Sequence, residues 1–462
     1  MKKNSDKKSV KELWRELTEK IKKISSAKII ALGYLAVILT GTLLLKLPIA
    51  SRGKPLGWLD TLFTAVSASC VTGLAAADTY TQWSLFGQIV IIFLIQIGGL
   101  GFMTVVSLAG LLTGRRIGLK ERSVLQDSVN NMQVGGIVKL MRRIALGTFI
   151  IEGIGAALLA VRLIPKMGIL SGIGNSLFLS VSAFCNGGFD LNGKYGQYCS
   201  LTPFADDVLI NLVICMLILT GGIGFTVWED ILKHKFRFSA YKLHSKIALT
   251  VTLWLTLIGT GLFLLFEQEY TFKGMPFWEQ LTAALFSSVT PRTAGFNTVD
   301  TAALSPASKA LTVLYMFIGG SPGSTAGGIK TVTFAVLILT AIASMRGNDD
   351  VNIFGRRLEA DAARRAVTVV TVNLALAVTA ILGISAAQPG LPLPDVVIET
   401  FSAVNTVGMT TGITRELLPF SKLLLIMLMY SGRVGSVSFA LIFTGKTRFT
   451  GVQNPEEPIS IG

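Results

Sequence analysis

Charge is scarce in this chain. Asp, Glu, Lys and Arg make up 15% of its 462 residues, where a soluble globular protein carries about 25%. Histidine is scarcer still: His234 and His244 are the two present, both in a basic stretch where they read as solvated loop residues. The four cysteines, Cys70, Cys185, Cys199 and Cys215, have no metal-ligand spacing, so neither a zinc site nor a disulfide framework is expected. There is no Walker motif and no phosphorylatable DKTG-like site, which excludes ATP-driven pumping by this chain itself. No His, Asp, Glu or Cys constellation falls in the apolar stretches, which argues against a membrane-embedded enzyme. The alternating ten-residue segments of a β-barrel are missing too.

Apolar sequence is abundant. Hydrophobic residues reach 51% and mean hydropathy is +0.61. Eight long apolar runs stand out, at about 29–49, 84–112, 144–164, 205–228, 247–266, 309–345, 366–387 and 420–444. A bilayer core of about 30 Å requires runs of this kind. The first follows a Lys-rich segment with no small-residue cleavage site, so it reads as a span and not as a signal peptide. An all-α polytopic membrane protein with eight transmembrane helices is expected. The net charge of +15 is directional, because 29 of the 42 Lys and Arg residues fall in 1–28, 114–143, 229–246, 346–365 and the tail after 445. Each of those segments follows an even number of runs, which predicts both termini on the cytoplasmic side. The basic balance thus reports topology in a lipid membrane, with no nucleic-acid partner expected.

Four related phrases recur between the runs. They are LFTAVSASCVTGL, LFLSVSAFCNGGF, LFSSVTPRTAGF and TFSAVNTVGM, and they align on Gly73, Gly188, Gly295 and Gly408, spaced 115, 107 and 113 residues apart. Asp60, Asn175 and Asp395 each open a phrase 13 residues before its glycine, and Glu279 stands 16 before, beside a Pro291–Arg292 insertion. A helix-compatible run of about ten residues separates opener from glycine, about 15 Å or half a bilayer. Each phrase therefore reads as a short re-entrant helix with an extended return, and an acid at its start complements the helix dipole. Non-helical backbone at membrane depth is tolerated only where protein buries it or water lines it. Four such segments predict one central pore of pseudo-fourfold symmetry, with four tandem span–short helix–span repeats at 29–113, 140–232, 244–345 and 364–445. Residues 1–28 and 446–462 would be cytosolic segments.

A filter for a bare monovalent cation needs inward-facing carbonyls. The candidates are Val71, Thr72 and Gly73; Asn186, Gly187 and Gly188; Thr293, Ala294 and Gly295; and Thr406, Val407 and Gly408. No Asp or Glu ring accompanies them, which disfavours a divalent ion. The second helix of each repeat carries another mark: GGLGF from Gly98, GGIGF from Gly221, GGSPGSTAGGIKT from Gly319, and SGRVGS from Ser431. Gly98–Gly99 and Gly221–Gly222 read as close packing within continuous helices. The third run cannot continue a helix. Its residues Gly319, Gly320, Ser321, Pro322, Gly323, Ser324, Thr325, Ala326, Gly327 and Gly328 read as a gate loop, within an intramembrane segment at 319–331. Arg433 is a charge at membrane depth, either a barrier facing the pore or one half of a buried pair with Glu152.

These four phrases, with VTGL, SVTPRTAGFNT, GGSPGSTAGGIKT and PEEPISIG, resemble the Trk/Ktr/HKT superfamily of potassium transporters, and within it the membrane subunits of bacterial Ktr systems. The resemblance covers about 30–462. It implies potassium uptake through a filter lined by the four glycines, a gating loop below it and an arginine barrier at Arg433. It also implies a bacterial cell-membrane location, a homodimer and stimulation by sodium. The implied partner is a cytosolic octameric ring of KtrA-like regulatory subunits that binds ATP or ADP. Glycine at position 73 matches the potassium-selective form, since some plant relatives that pass sodium carry serine there. The second phrase departs: the family often reads Asn-Asn-Ala-Gly-Phe, where this chain has Cys185-Asn186-Gly187-Gly188-Phe189, and the added glycine would loosen that quarter. A secondary symporter with obligatory sodium coupling is the alternative, disfavoured because all four repeats run in the same orientation.

Overall fold

The computed structural model describes residues 25–112, 118–128, 137–235, 237–348, 350–359, 361–435, 439 and 457. Arg115 and Arg116, the N-terminal lysine-rich segment up to residue 24, most of the last run beyond Gly435 and nearly all of the C-terminal tail lie outside the described residues.

The chain is helical and repeats one pattern. A long helix comes first, a short buried helix follows, and a third helix returns. In the first unit these are α1 (Ser26–Lys46), α2 (Trp58–Ser69) and α3 (Leu85–Leu100), extended by α4 (Phe102–Leu112). Helix α5 (Leu119–Ser128) follows. The second unit has α6 (Ile137–Met167), α7 (Ile169–Phe184) and α8 (Val208–Gly222), extended by α9 (Phe225–His234). The third has α10 (Leu243–Glu267), α11 (Phe277–Val289), α12 (Pro306–Phe317) and α13 (Thr331–Met345). A hairpin of β1 (Asn352–Ile353) and β2 (Arg356–Arg357) leads into α14 (Ala362–Ala387), α15 (Leu393–Val404) and α16 (Pro419–Val434).

Local chemistry explains the starts. Ser84, Asp207 and Ser305 cap α3, α8 and α12 by accepting from backbone N–H groups three residues on. Proline occupies the first turn of α12, α15 and α16, where its missing N–H costs nothing. Asp60, Glu279 and Asp395 sit in the first turns of α2, α11 and α15. Asn175 does not open α7, because that helix begins six residues earlier, at Ile169 behind Gly168. Asn175 is buried within the helix and donates to the Asn192 side chain at 3.0 Å.

Four unbroken helices among the described residues are long and apolar enough to cross a membrane: α1, α6, α10 and α14. The expected second and fourth spans are broken. Helix α3 turns into α4 by 98° and α8 into α9 by 96°. The breaks fall at Gly101 (φ 84°) and Gly224 (φ 99°), in a left-handed region that glycine enters without Cβ strain. Gly98 and Gly221 do pack closely, against the Ser69 and Phe184 carbonyls, but their helices end within a turn, so GGLGF and GGIGF do not lie inside continuous spans. The sixth run is interrupted between α12 and α13 by non-helical residues 318–330.

The short helices are the buried ones. Phe63, Ala65 and Ala68 of α2 are fully buried, while Leu32, Leu39 and Leu43 of α1 are more than half exposed. An apolar exterior of this kind faces lipid. One apolar cluster joins the first unit to the last, with Ile38, Phe63 and Cys70 packed among Ala377, Val404, Leu425 and Met429. Helices of the first unit and of the last thus pack on one another.

Candidate functional site

Where each short helix ends, the backbone alternates in handedness. Val71 (φ 58°), Asn186 (φ 60°), Thr293 (φ 75°) and Thr406 (φ 50°) are left-handed despite carrying side chains. The next residues, Thr72, Gly187, Ala294 and Val407, are not, and Gly73 (φ 96°), Gly188 (φ 68°), Gly295 (φ 82°) and Gly408 (φ 93°) are left-handed again. Each non-glycine residue held this way costs about 1–3 kcal/mol, and such strain collects at functional sites. It recurs at the same place in all four phrases.

The four glycines converge. A Cβ on Gly73 would lie 3.0 Å from the Gly188 Cα and 3.3 Å from the Gly408 Cα. One on Gly188 would meet the Cα atoms of Gly73 at 3.2 Å and Gly295 at 3.3 Å. One on Gly295 would meet Gly408 at 3.1 Å and Gly188 at 3.3 Å. Each glycine therefore touches two others, in chain order around a closed ring. Backbone oxygens approach the glycines in the same cyclic sense: those of Gly187, Ala294, Val407 and Thr72 lie too close to the positions that Cβ atoms on Gly73, Gly188, Gly295 and Gly408 would take. No side chain fits at these four positions. Gly187 differs, since its φ is ordinary and a Cβ there would meet Ile95 at 2.9 Å.

Side chains of the short helices hold the strands. Ser67 and Ser402 accept from the Gly73 and Gly408 N–H groups, both at 3.0 Å. Ser182 accepts from Phe189 at 3.0 Å, one residue further along than its counterparts. Thr290 donates to the Phe296 carbonyl at 2.6 Å. In the second phrase the departure is thus a shifted tie.

On one side of the ring lies a cavity of about 150 Å³, lined by all four glycines and by Asp78, Asp190, Asp300, Tyr198 and Arg415. Arg415 stacks 4.2 Å over the Tyr198 ring. Burial pushes the Asp190 carboxyl up to about 6, the Asn192 N–H pulls it down and the Asp78 charge adds to the rise.

Residues 318–330 occupy the other side. Ser321 and Thr325 donate their N–H groups to the Gly222 and Gly221 carbonyls at 2.8 and 3.2 Å, and Phe225 donates back to Gly323 at 2.8 Å. The Thr325 hydroxyl donates to the Phe184 carbonyl at 3.1 Å. Gly327 packs on Asn405 and Thr406 so closely that a Cβ would clash. The segment is thereby wedged between the second and fourth strands of the ring and the broken end of α8. Arg433 donates to the carbonyls of Thr325 at 2.6 Å, of Gly98 and of Gly99. It does not pair with Glu152, which instead accepts from Gln96.

Two charged residues escaped the sequence reading. Lys330 Nζ donates to the Ala326 and Gly327 carbonyls at 2.6 and 3.1 Å, clamping the loop on itself. Glu399 of α15 accepts from the hydroxyls of Thr410, at 2.7 Å, and Thr414, bracing the fourth return strand. A charge inside an apolar run was the available signal for both.

The chain matches the model of the family described as TrkH, cation transport protein, over residues 10–448. It is 40% identical over 437 residues to the Ktr system potassium uptake protein B of Bacillus subtilis, spanning 94% of this chain and 96% of that protein. It is 41% identical over 449 residues to the potassium/sodium uptake protein NtpJ of Enterococcus hirae, spanning 96% and 98%. Its fold is similar to the crystal structure of the potassium transporter TrkH from Vibrio parahaemolyticus, with a TM-score of 0.70 and 18% identity, covering 89% of this chain and 84% of that one. With a family model spanning nearly its whole length, this chain belongs to the TrkH family of cation transport proteins, membrane proteins that move ions and are not enzymes.

Proposed function

We propose that this protein takes up potassium across a bacterial cell membrane through the ring of Gly73, Gly188, Gly295 and Gly408. The observation that carries the reading is the cyclic convergence of four strained strands, each bringing a left-handed residue, an ordinary residue and a left-handed glycine. Carbonyl oxygens from four equivalent strands replace the hydration shell of a monovalent cation. The short helices end at the ring, so the negative ends of their dipoles favour a cation there. The four span–short helix–span units would surround one pore, with both termini cytoplasmic. The driving force is the membrane potential, about 2.3 kcal/mol per charge per 100 mV.

Residues 319–328 are the gate in this reading, and Arg433 is the positive charge that keeps it shut. The bonds from Arg433 and Lys330 to loop carbonyls support this, since breaking them would free the loop. A cytosolic nucleotide-binding ring would act on the gate from the basic cytoplasmic face, and two copies of the chain would pair in the membrane. Sodium acts as an activator here. Its obligatory cotransport is disfavoured by the single-handed fourfold ring. The name of the Enterococcus hirae relative keeps sodium in the test.

Potassium-dependent growth of cells lacking their own uptake systems, followed by rubidium uptake into vesicles, tests the reading. Restored growth at low potassium with uptake driven by voltage alone is expected. Uptake that stops without sodium would replace the pore with a symporter.

A further inference from the structure

The residue three places before each ring glycine has a partner in the long helix that begins its own unit. In the second unit this is Cys185, whose thiol is shared between two acceptors, Glu152 Oε1 at 3.7 Å and Gln96 Oε1 of α3 at 3.6 Å. Glu152 Oε2 accepts from Gln96 Nε2 at 3.3 Å, and Glu152 is 3% exposed with no Lys or Arg in ion-pair range among the described residues. In the third unit it is Arg292, which donates to the Thr252 carbonyl at 3.3 Å and to the Thr256 hydroxyl at 3.1 Å on α10. In the fourth it is Asn405, whose side-chain oxygen accepts from Asn373 on α14 at 3.3 Å. In the first it is Cys70, which packs with Ile38 of α1 in an apolar cluster and makes no hydrogen bond among the described residues through its thiol. Ile38 and Asn373 each stand 35 residues before their glycine and Glu152 stands 36 before, while Thr256 and Thr252 of the third unit stand 39 and 43 before theirs.

A buried carboxyl costs several kcal/mol unless its oxygens are bonded. Hydrocarbon packing would fill the same space more cheaply, so its presence behind one strand calls for a role beyond packing. The residue it holds is the one immediately before Asn186, where the backbone turns left-handed. A side chain that fixes that point fixes where the next carbonyls aim. Cys185 also lies against Gly99 of α3, where an added Cβ would approach Sγ to 2.5 Å.

We propose that Glu152, acting through Cys185, is a positioning residue for the second strand of the ring, one of three polar rear anchors that hold the ring to a potassium-sized opening, while Cys70, at the matching position of the first strand, has an apolar setting instead. The proposal rests on the reading of the glycine ring as the ion filter.

The test uses the full chain in vesicles and measures rubidium uptake against increasing sodium, with thermal unfolding in detergent as the check on folding. Losing one net hydrogen bond at the anchor lowers the preference for rubidium over sodium roughly fivefold, in both Glu152→Leu and Cys185→Ala. The double variant is no worse than either alone, because both belong to one hydrogen-bonded network with Gln96. Glu152→Gln keeps a bonding oxygen and retains the preference to within about twofold; if Glu152→Leu fails to fold, Glu152→Ala takes its place in the cycle with Cys185→Ala. An unchanged preference in folded Cys185→Ala overturns the proposal, as do additive losses or a full loss in Glu152→Gln. Gly188→Ser is run beside them. If it changes the preference while the anchor variants do not, the anchor alone fails. If it too changes nothing, the filter reading fails and the anchor falls with it.

Discussion

Arg433 and Thr325 lie 108 residues apart and meet below the glycine ring, where the guanidinium Nη1 donates to the Thr325 carbonyl at 2.6 Å. The same guanidinium reaches Gly98 and Gly99, so one side chain of α16 binds the loop and the end of α3 together. Hydrogen bonds from a charged donor are the strong ones, about 1.5–3 kcal/mol each. Arg433→Ala is therefore expected to raise rubidium uptake by this chain alone severalfold. The measurement is uptake into vesicles at fixed voltage, and unchanged uptake by a folded variant would count against a barrier at this position.

Gly73→Ser tests the ring itself. The serine Cβ would come within 3.0 Å of the Gly188 Cα and would have to adopt φ 96°. The strand must shift, and its carbonyls with it. Sodium is expected to compete with rubidium far better than in the parent. A sodium inhibition curve reads this directly, and one that superimposes on the parent's would remove Gly73 from the filter.

The four phrases and their glycines were legible because they repeat, and repetition survives where propensity is ambiguous. Breaks at Gly101 and Gly224 were not legible: a left-handed φ in an apolar run looks like one more small residue until the chain is seen to turn. The left-handed Val71, Thr293 and Thr406 were hidden for a related reason, since β-branched residues rarely adopt such φ values unless tertiary contacts impose them. Asn175 misled because polar residues mark helix starts only when the helix starts there, and α7 begins at Ile169. The partners of Arg433 were invisible because they are backbone carbonyls, which every residue has.

Two of the three acids that open the short helices have lysine partners from other units. Lys422 of α16 meets Asp60 of α2 at 2.7 Å, and Lys309 of α12 meets Asp395 of α15 at 4.0 Å. These pairs join the fourth unit to the first and the third to the fourth. Lys422 is the more secluded, with 12% of its side chain exposed against 32% for Asp60. Partial burial places the coupling at about 1 kcal/mol. A double-mutant cycle of Asp60→Asn and Lys422→Met, read by thermal unfolding in detergent, is expected to show it. Additive losses would mean that the two charges act independently.

Asp190 is expected to give the cavity beside the ring a pH response. Its carboxyl, pushed up by burial to about 6, is charged above that pH and neutral below it. Above pH 6 the cavity carries one more negative charge close to Gly188 and concentrates cations. As pH falls through 6 that charge is lost, and the potassium concentration for half-maximal uptake is expected to rise roughly twofold to tenfold. Asp190→Asn should hold the weaker affinity at every pH. A pH profile of rubidium uptake between 5 and 8 for both proteins checks it, and a profile unchanged by the substitution would exclude Asp190 as the group responsible.

Removal of Ser321 to Gly327 separates the loop from the helices that carry it. The flanking residues already meet, because the Gly319 N–H donates to the Ile329 carbonyl at 2.8 Å and Ile318 bridges Ile329. The shortened chain can therefore close across contacts that exist in the parent, and α12 and α13 need not move far. The deletion takes away the bonds to Gly221, Gly222 and Phe184, and the Thr325 carbonyl that Arg433 holds. Uptake is expected to rise as it does in Arg433→Ala. Combining the two should add little, since each removes the same contact. A combined rise equal to the product of the single rises would mean that loop and arginine obstruct the path separately, and a fall in uptake by the folded deletion variant would show that the loop supports the path instead of closing it.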